Sequence, residues 1–222
     1  MKRPWCLSLL TLATLLTACR PEPLPDDRAA NDRAANDRAV NDRAATDYAS
    51  RSELQDAQSQ FILAQVGHDP RLIATLQEAY GEAPAPQAPN TQALPAPVGR
   101  LEFVKSLAWG NVQNFEAASF RRDFIDTLHP GLDWSTDGCS TPPGLDFGYH
   151  ETFRPACLVH DFGYHNLRLL ERTPENRTRT DEAFFSNLKA ICAARFPPER
   201  PSCYVVAYMY EEGVRLGGAA LF

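Results

Sequence analysis

The residues best placed to do chemistry lie in three short stretches of the C-terminal half. In residues 155–167, helical spacing puts Cys157, His160, Tyr164 and Leu167 on one face, so His160 points inward with a cysteine of its own helix. Neighbouring helical residues point about 100° apart, so His160 and Asp161 serve adjoining tasks rather than one another. One of them can act as a base while the other holds a cation. Further on, Phe184, Phe185, Leu188, Ile191 and Cys192 form an apolar stripe that includes Asp181. A carboxylate aimed inward needs an imidazole, an arginine or a metal as partner, and Arg177 and Arg179 lie close by in sequence. The plainer role for Asp181 is as a helix-dipole partner near an N-terminus. The third stretch is Asp137-Gly138-Cys139, in a segment rich in Gly, Pro, Asp and Ser over residues 130–154. A disulfide from Cys139 to Cys157 would hold this loop within one turn of Asp161. The carboxylates and loop carbonyls gathered there suit a hard cation such as Ca²⁺, whereas alone Asp137-Gly138 reads as a turn.

The elements that must position these groups read as helices near 100–109, 114–128, 155–171, 174–195 and 202–216, with no convincing strand pair. Thr173-Pro174-Glu175 supplies an N-cap, a first-position proline and a first-turn acid. Phe196-Pro197-Pro198 stops that helix and Gly217-Gly218 stops the last. The last helix carries Tyr204, Tyr208, Glu211, Glu212 and Arg215, read as a packing surface with no assigned role. Cys139, Cys157, Cys192 and Cys203 form an even set in this region. In an exported domain such a set implies two disulfides, and the residues alone leave three pairings open.

Three motifs, Trp134-Ser-Thr-Asp137-Gly138-Cys139-Ser140, Pro155-Ala-Cys157-Leu-Val-His160-Asp161-Phe162-Gly163-Tyr164-His165-Asn166, and Asp181 downstream, resemble those of the small secreted phospholipases A2 of bacteria and fungi. The resemblance covers residues 99–222. It implies an all-α fold: a small disulfide-stapled helical domain with a long calcium-binding loop and two antiparallel catalytic helices. It implies His160 as general base, Asp181 as the carboxylate that orients it, and Ca²⁺ held by Asp137, Asp161 and the backbone carbonyl of Gly138. It also implies the pairs Cys139–Cys157 and Cys192–Cys203. The activity implied is calcium-dependent hydrolysis of the sn-2 ester of glycerophospholipids, by His-activated water, at a bilayer or micelle and by a monomer. Two positions depart from the pattern. Gly138 stands where a larger apolar residue is frequent, and its flexibility is expected to weaken calcium affinity. His165 stands where arginine is common, which makes a local charge depend on pH.

Upstream, Met-Lys-Arg followed by an apolar run to Leu16 has the layout of a signal peptide over residues 1–18. Leu16-Thr17-Ala18-Cys19 resembles a bacterial lipobox, which implies acylation of Cys19 and anchoring in the cell envelope, or secretion if the box is not used. Residues 19–50 are dominated by a five-residue repeat of the type Asp-Arg-Ala-Ala-Asn, which builds no apolar stripe and reads as a disordered or transiently helical spacer. Residues 51–81 read as a helical hairpin with His68 in its turn, and residues 82–98 as a Pro/Ala-rich linker. A random tether of roughly 80 residues would span about 50 Å between anchor and domain. The net charge of −6, with no dense basic block, excludes a nucleic-acid partner. Two other functions compete: a His-Asp metal phosphohydrolase recruiting His129 or His150, and a non-catalytic lipid-anchored binding protein.

Overall fold

The computed structural model describes residues 27–82, 99–139 and 147–222. The signal segment, Cys19, Ser140 and all but the first residue of the linker lie outside the described residues. The chain divides into two units, Met1–Asp37 and Arg38–Phe222. In the first, the described residues belong to helix α1 (Asp27–Ser50), which runs on into the second. The described part of the repeat is helical. Its alanines and arginines are strong helix formers, and in this segment propensity outweighs the missing apolar stripe.

The second unit is all helix; the described residues contain no strand. After α1 come α2 (Ala57–Val66), α3 (Pro70–Ala79), α4 (Arg100–Ala108), α5 (Val112–Phe120), α6 (Arg122–Leu128), α7 (His150–Leu170), α8 (Pro174–Ala193) and α9 (Arg200–Gly217). Local chemistry starts several of them. Asp56, Asp69, Asn111 and Thr173 each accept a backbone N–H of the first turn, and Pro70 and Pro174 occupy positions where no N–H is needed. The stretch expected as one helix over 114–128 breaks at Arg121.

Helix α7 begins five residues earlier than the sequence suggests. Pro155 lies inside it because burial of Phe153 and Ala156 carries the helix back to His150. The short link at 171–173 returns the chain, so α7 and α8 run antiparallel. Gly163 lies where they are in tight contact. A Cβ there would lie 2.8 Å from Thr180 Cγ2 and 2.9 Å from Ala108 Cβ, so glycine lets α4, α7 and α8 meet. Disulfides Cys139–Cys157 and Cys192–Cys203 tie the loop before α7 to that helix, and α8 to α9. Part of the segment upstream of residue 83 packs on the C-terminal helices. Helix α3 packs on α9, and Tyr204, Tyr208 and Glu211 are buried in that packing. Ser202 Oγ donates to the Glu53 carbonyl and to Asp56 Oδ2. Arg71 pairs with Glu211 and Glu212, while Glu78 pairs with Lys189 of α8. Among the described residues no helix is long and apolar enough to cross a membrane.

Candidate active site

The antiparallel pair α7 and α8 brings His160 and Asp181 together. His160 Nε2 lies 3.0 Å from Asp181 Oδ1, and the two residues are 8% and 6% exposed. A carboxylate only accepts, so Nε2 carries the proton and Nδ1 is left as the basic nitrogen. The imidazole is walled by the rings of Tyr164 and Phe184, with centroids 4.2 and 4.7 Å away. Tyr164 also donates its hydroxyl to Asp181 Oδ1 at 2.6 Å. Burial, and then the Asp181 charge, push the Tyr164 phenol far above its ordinary range, so it stays a donor. Arg177 approaches the other carboxylate oxygen, Nη1 to Oδ2, at 3.6 Å. Arg179 instead stacks on Trp109.

Beside this pair, the disulfide from Cys139 to Cys157 holds the loop against α7. Thr136 Oγ1 donates to Asp161 Oδ2 and accepts the Gly138 N–H at 2.9 Å. Burial drives the Asp161 carboxyl above its usual range; the Thr136 hydrogen bond opposes this and the nearby Asp137 charge adds to it. Asp161 and Asp137, next to loop carbonyls, are oxygen donors that could hold a hard divalent cation. Among the described residues no three His, Cys, Asp or Glu side chains gather into a metal cluster. Such an ion would draw its remaining ligands from backbone oxygen and water. Gly138 has φ +77°, a left-handed backbone, so glycine here answers a conformational requirement of the loop. His165 lies 3.8 Å from Asp133 and within reach of Ser135 Oγ.

Comparison with known proteins gives three matches. The family model of prokaryotic phospholipase A2 matches residues 110–218. A secretory phospholipase A2 of Arthroderma benhamiae is 35% identical over 112 residues, 50% of this chain and 68% of that protein. The chain belongs to the phospholipase A2 family. A secretory phospholipase A2 of Beauveria bassiana is 36% identical over 88 residues, 39% of this chain, and the match spans 44% of that protein's length.

The phospholipase A2 match contains every residue of the candidate site and none of residues 38–82. The metal phosphohydrolase alternative calls on His129 or His150; the Nε2 of His150 would lie 3.7 Å from a Cβ on Gly138. His129 stacks on Phe103 with centroids 4.5 Å apart, and His150 bonds Glu151. Three contributors went unassigned in the sequence. Tyr164 was visible on the His160 face, but nothing local marked Asp181 as its partner. Thr136 as the donor to Asp161 depends on the loop fold. Arg177 was one of two arginines able to pair with Asp181, and the helix phase chose it at i−4.

Proposed function

We propose that this chain hydrolyses the sn-2 ester of glycerophospholipids in a calcium-dependent reaction, releasing a fatty acid and a lysophospholipid. The observation that supports the reading is the Nε2–Asp181 hydrogen bond, which leaves the other imidazole nitrogen available as a base. In the first step His160 Nδ1 takes a proton from water as the water oxygen bonds the sn-2 carbonyl carbon. Asp181 holds the tautomer and offsets the imidazolium charge, the role a carboxylate plays in serine-hydrolase chemistry, here with no protein nucleophile. In the second step the ester C–O bond breaks and the imidazolium returns the proton to the departing glycerol oxygen. Asp161, Asp137 and the Gly138 carbonyl are the groups that would hold Ca²⁺. Bound there, the ion supplies positive charge for the phosphate and for the oxygen on which charge develops.

The substrate surface is read from the end of α5 and from α6. Phe120, the last residue of α5, and Phe124 and Leu128 of α6 are 92%, 64% and 58% exposed, while Ile125 of α6 is buried. Arg121 and Arg122, both exposed, border this apolar ridge and complement anionic head groups. Trp134 Nε1 donates to Asp126 at 3.0 Å, which links the ridge to the loop that carries Asp137. The ridge is assigned to a phospholipid surface. Export follows the secretory relatives and the N-terminal signal. Acylation of Cys19 would keep the protein at the envelope, and the chain would otherwise be secreted.

The test is fatty-acid release from sn-2-labelled phosphatidylcholine and phosphatidylglycerol vesicles, with the oxidised full-length mature chain. Release that requires Ca²⁺ and is lost in His160→Ala supports the reading. A folded wild type that binds Ca²⁺ and releases nothing from either lipid refutes it in favour of a binding protein.

A further inference from the structure

Arg177 is held in a place that structure-building alone does not require. Its guanidinium lies within reach of the Tyr164 hydroxyl, and its buried Nη1 faces Asp181 Oδ2 at 3.6 Å, an ion-pair distance beyond hydrogen-bond length. Asp181 meanwhile takes both of its hydrogen bonds, from His160 Nε2 and from Tyr164, on Oδ1. The carboxylate is nearly fully buried, and its side-chain torsion is a soft, two-fold one. Two neutral donors on one oxygen neither compensate a buried negative charge nor fix the carboxylate plane. A guanidinium facing the second oxygen does both, because its charge offsets the burial and its position prevents rotation.

The surroundings keep Arg177 there. The turn after α9 closes over the cluster: a Cβ on Gly218 would lie 2.3 Å from the Tyr164 hydroxyl and 3.4 Å from Arg177 Nη1. The ring of Phe222 stands edge-on against Tyr164, with centroids 5.0 Å apart. Arg177 is thus confined on three sides, by its own helix α8, by Tyr164 of α7 and by the C-terminal turn. The fourth side is the Asp181 carboxylate.

We propose that Arg177 is a positioning residue of the reaction. Acting through Asp181 Oδ2, it keeps that carboxylate turned so that Oδ1 stays in line with His160 Nε2. It touches neither substrate nor reacting water. The inference rests on the phospholipase reading only for its kinetic readout.

The experiment compares Arg177→Gln and Arg177→Lys, alone and combined with Asp181→Asn, in the oxidised full-length mature chain. Two quantities are read. One is kcat and KM on phosphatidylcholine vesicles with Ca²⁺. The other is the proton resonance of the His160 Nε2–H···Asp181 hydrogen bond, recorded without lipid or calcium. Arg177→Gln is expected to lower kcat about tenfold with KM unchanged and to move the resonance upfield. Arg177→Lys, which keeps the charge, is expected to retain most of kcat. In the Asp181→Asn background, Arg177→Gln is expected to cost nothing further. The proposal is overturned if Arg177→Gln leaves kcat and the resonance unchanged, or if it costs as much in the Asp181→Asn background as in the otherwise wild-type chain. Should Arg177→Gln lose its thermal transition, Arg177→Lys decides alone: a folded Arg177→Lys chain with the resonance lost refutes the role of the charge. If the wild type proves silent on lipids, the phospholipase reading fails, while the resonance still decides for or against Arg177 as the group that positions Asp181.

Discussion

Glu78 and Lys189 offer the sharpest test of how residues outside the family match support the catalytic helices. Lys189 lies on α8 two turns beyond Asp181, is 9% exposed, and bonds Glu78 of α3 through both carboxylate oxygens, at 3.0 and 2.7 Å. Its other neighbour is the Phe185 ring, 4.8 Å from Nζ. Replacing Glu78 by leucine leaves an ammonium among apolar groups with only a ring face to stabilise it. Breaking a fully buried pair costs about 3 to 5 kcal/mol and an exposed one about 0.2 to 1 kcal/mol. The Glu78 side chain keeps a fifth of its exposure, so a loss of about 2 kcal/mol is expected. For a unit of this size that lowers Tm by about 4 to 8 °C. Lys189→Met alone is expected to cost about 1 kcal/mol, because Glu78 retains access to water. The double variant Glu78→Leu with Lys189→Met should return to within about 1 kcal/mol of wild type. Urea unfolding of the oxidised chain at neutral pH measures all four corners of the cycle. Strictly additive losses would refute the reasoning, because they would mean that the two charges do not depend on one another.

Other consequences can be checked in the same preparations. Gly163→Ala is expected to destabilise by about 1 to 3 kcal/mol and to lower kcat, since the added methyl overlaps Thr180 and Ala108 and separates α7 from α8; unchanged urea midpoint and turnover would contradict this. Phe124→Asp should weaken vesicle binding about tenfold, the loss of partial burial of one ring, and leave hydrolysis of short-chain monomeric phospholipid intact; a parallel loss on monomers would remove the ridge from lipid contact. Burial raises the Asp56 carboxyl, but hydrogen bonds from Ser59 and Ser202 outweigh it and hold the group below 3.8 in the folded chain. Its stabilisation is therefore present above pH 3.8 and lost as pH falls through the lower folded value. Asp56→Asn should flatten that acid-side loss, and urea midpoints between about pH 2 and 6 would report it.

The placement of the candidate site residues was legible in residue type and phase. His160 and Cys157 share a helical face by spacing alone, Asp181 lies on an apolar stripe, and Thr173-Pro174 and Phe196-Pro197-Pro198 mark where the helices start and stop. These are local properties, set by helical periodicity and by which side chains can cap a backbone, so no distant contact is needed to read them. What lies between sequence-distant residues was decided by packing. Tyr164 reaches Asp181 because α7 and α8 pack together where Gly163 has no side chain, whereas Arg177 reaches it along α8 itself. Helix α7 runs back through Pro155 because burying Phe153 outweighs one lost hydrogen bond. Gly138 reads in sequence as a looser loop, yet the fold uses it for a left-handed backbone. The same holds for residues 38–82, whose apolar pattern announces helices but not their destination: Leu72 and Leu76 could have been buried against many surfaces. The face of α9 was selected because it also supplies counter-charges for Arg71 and, through α8, for Glu78, and such pairing exists only once the chain has folded.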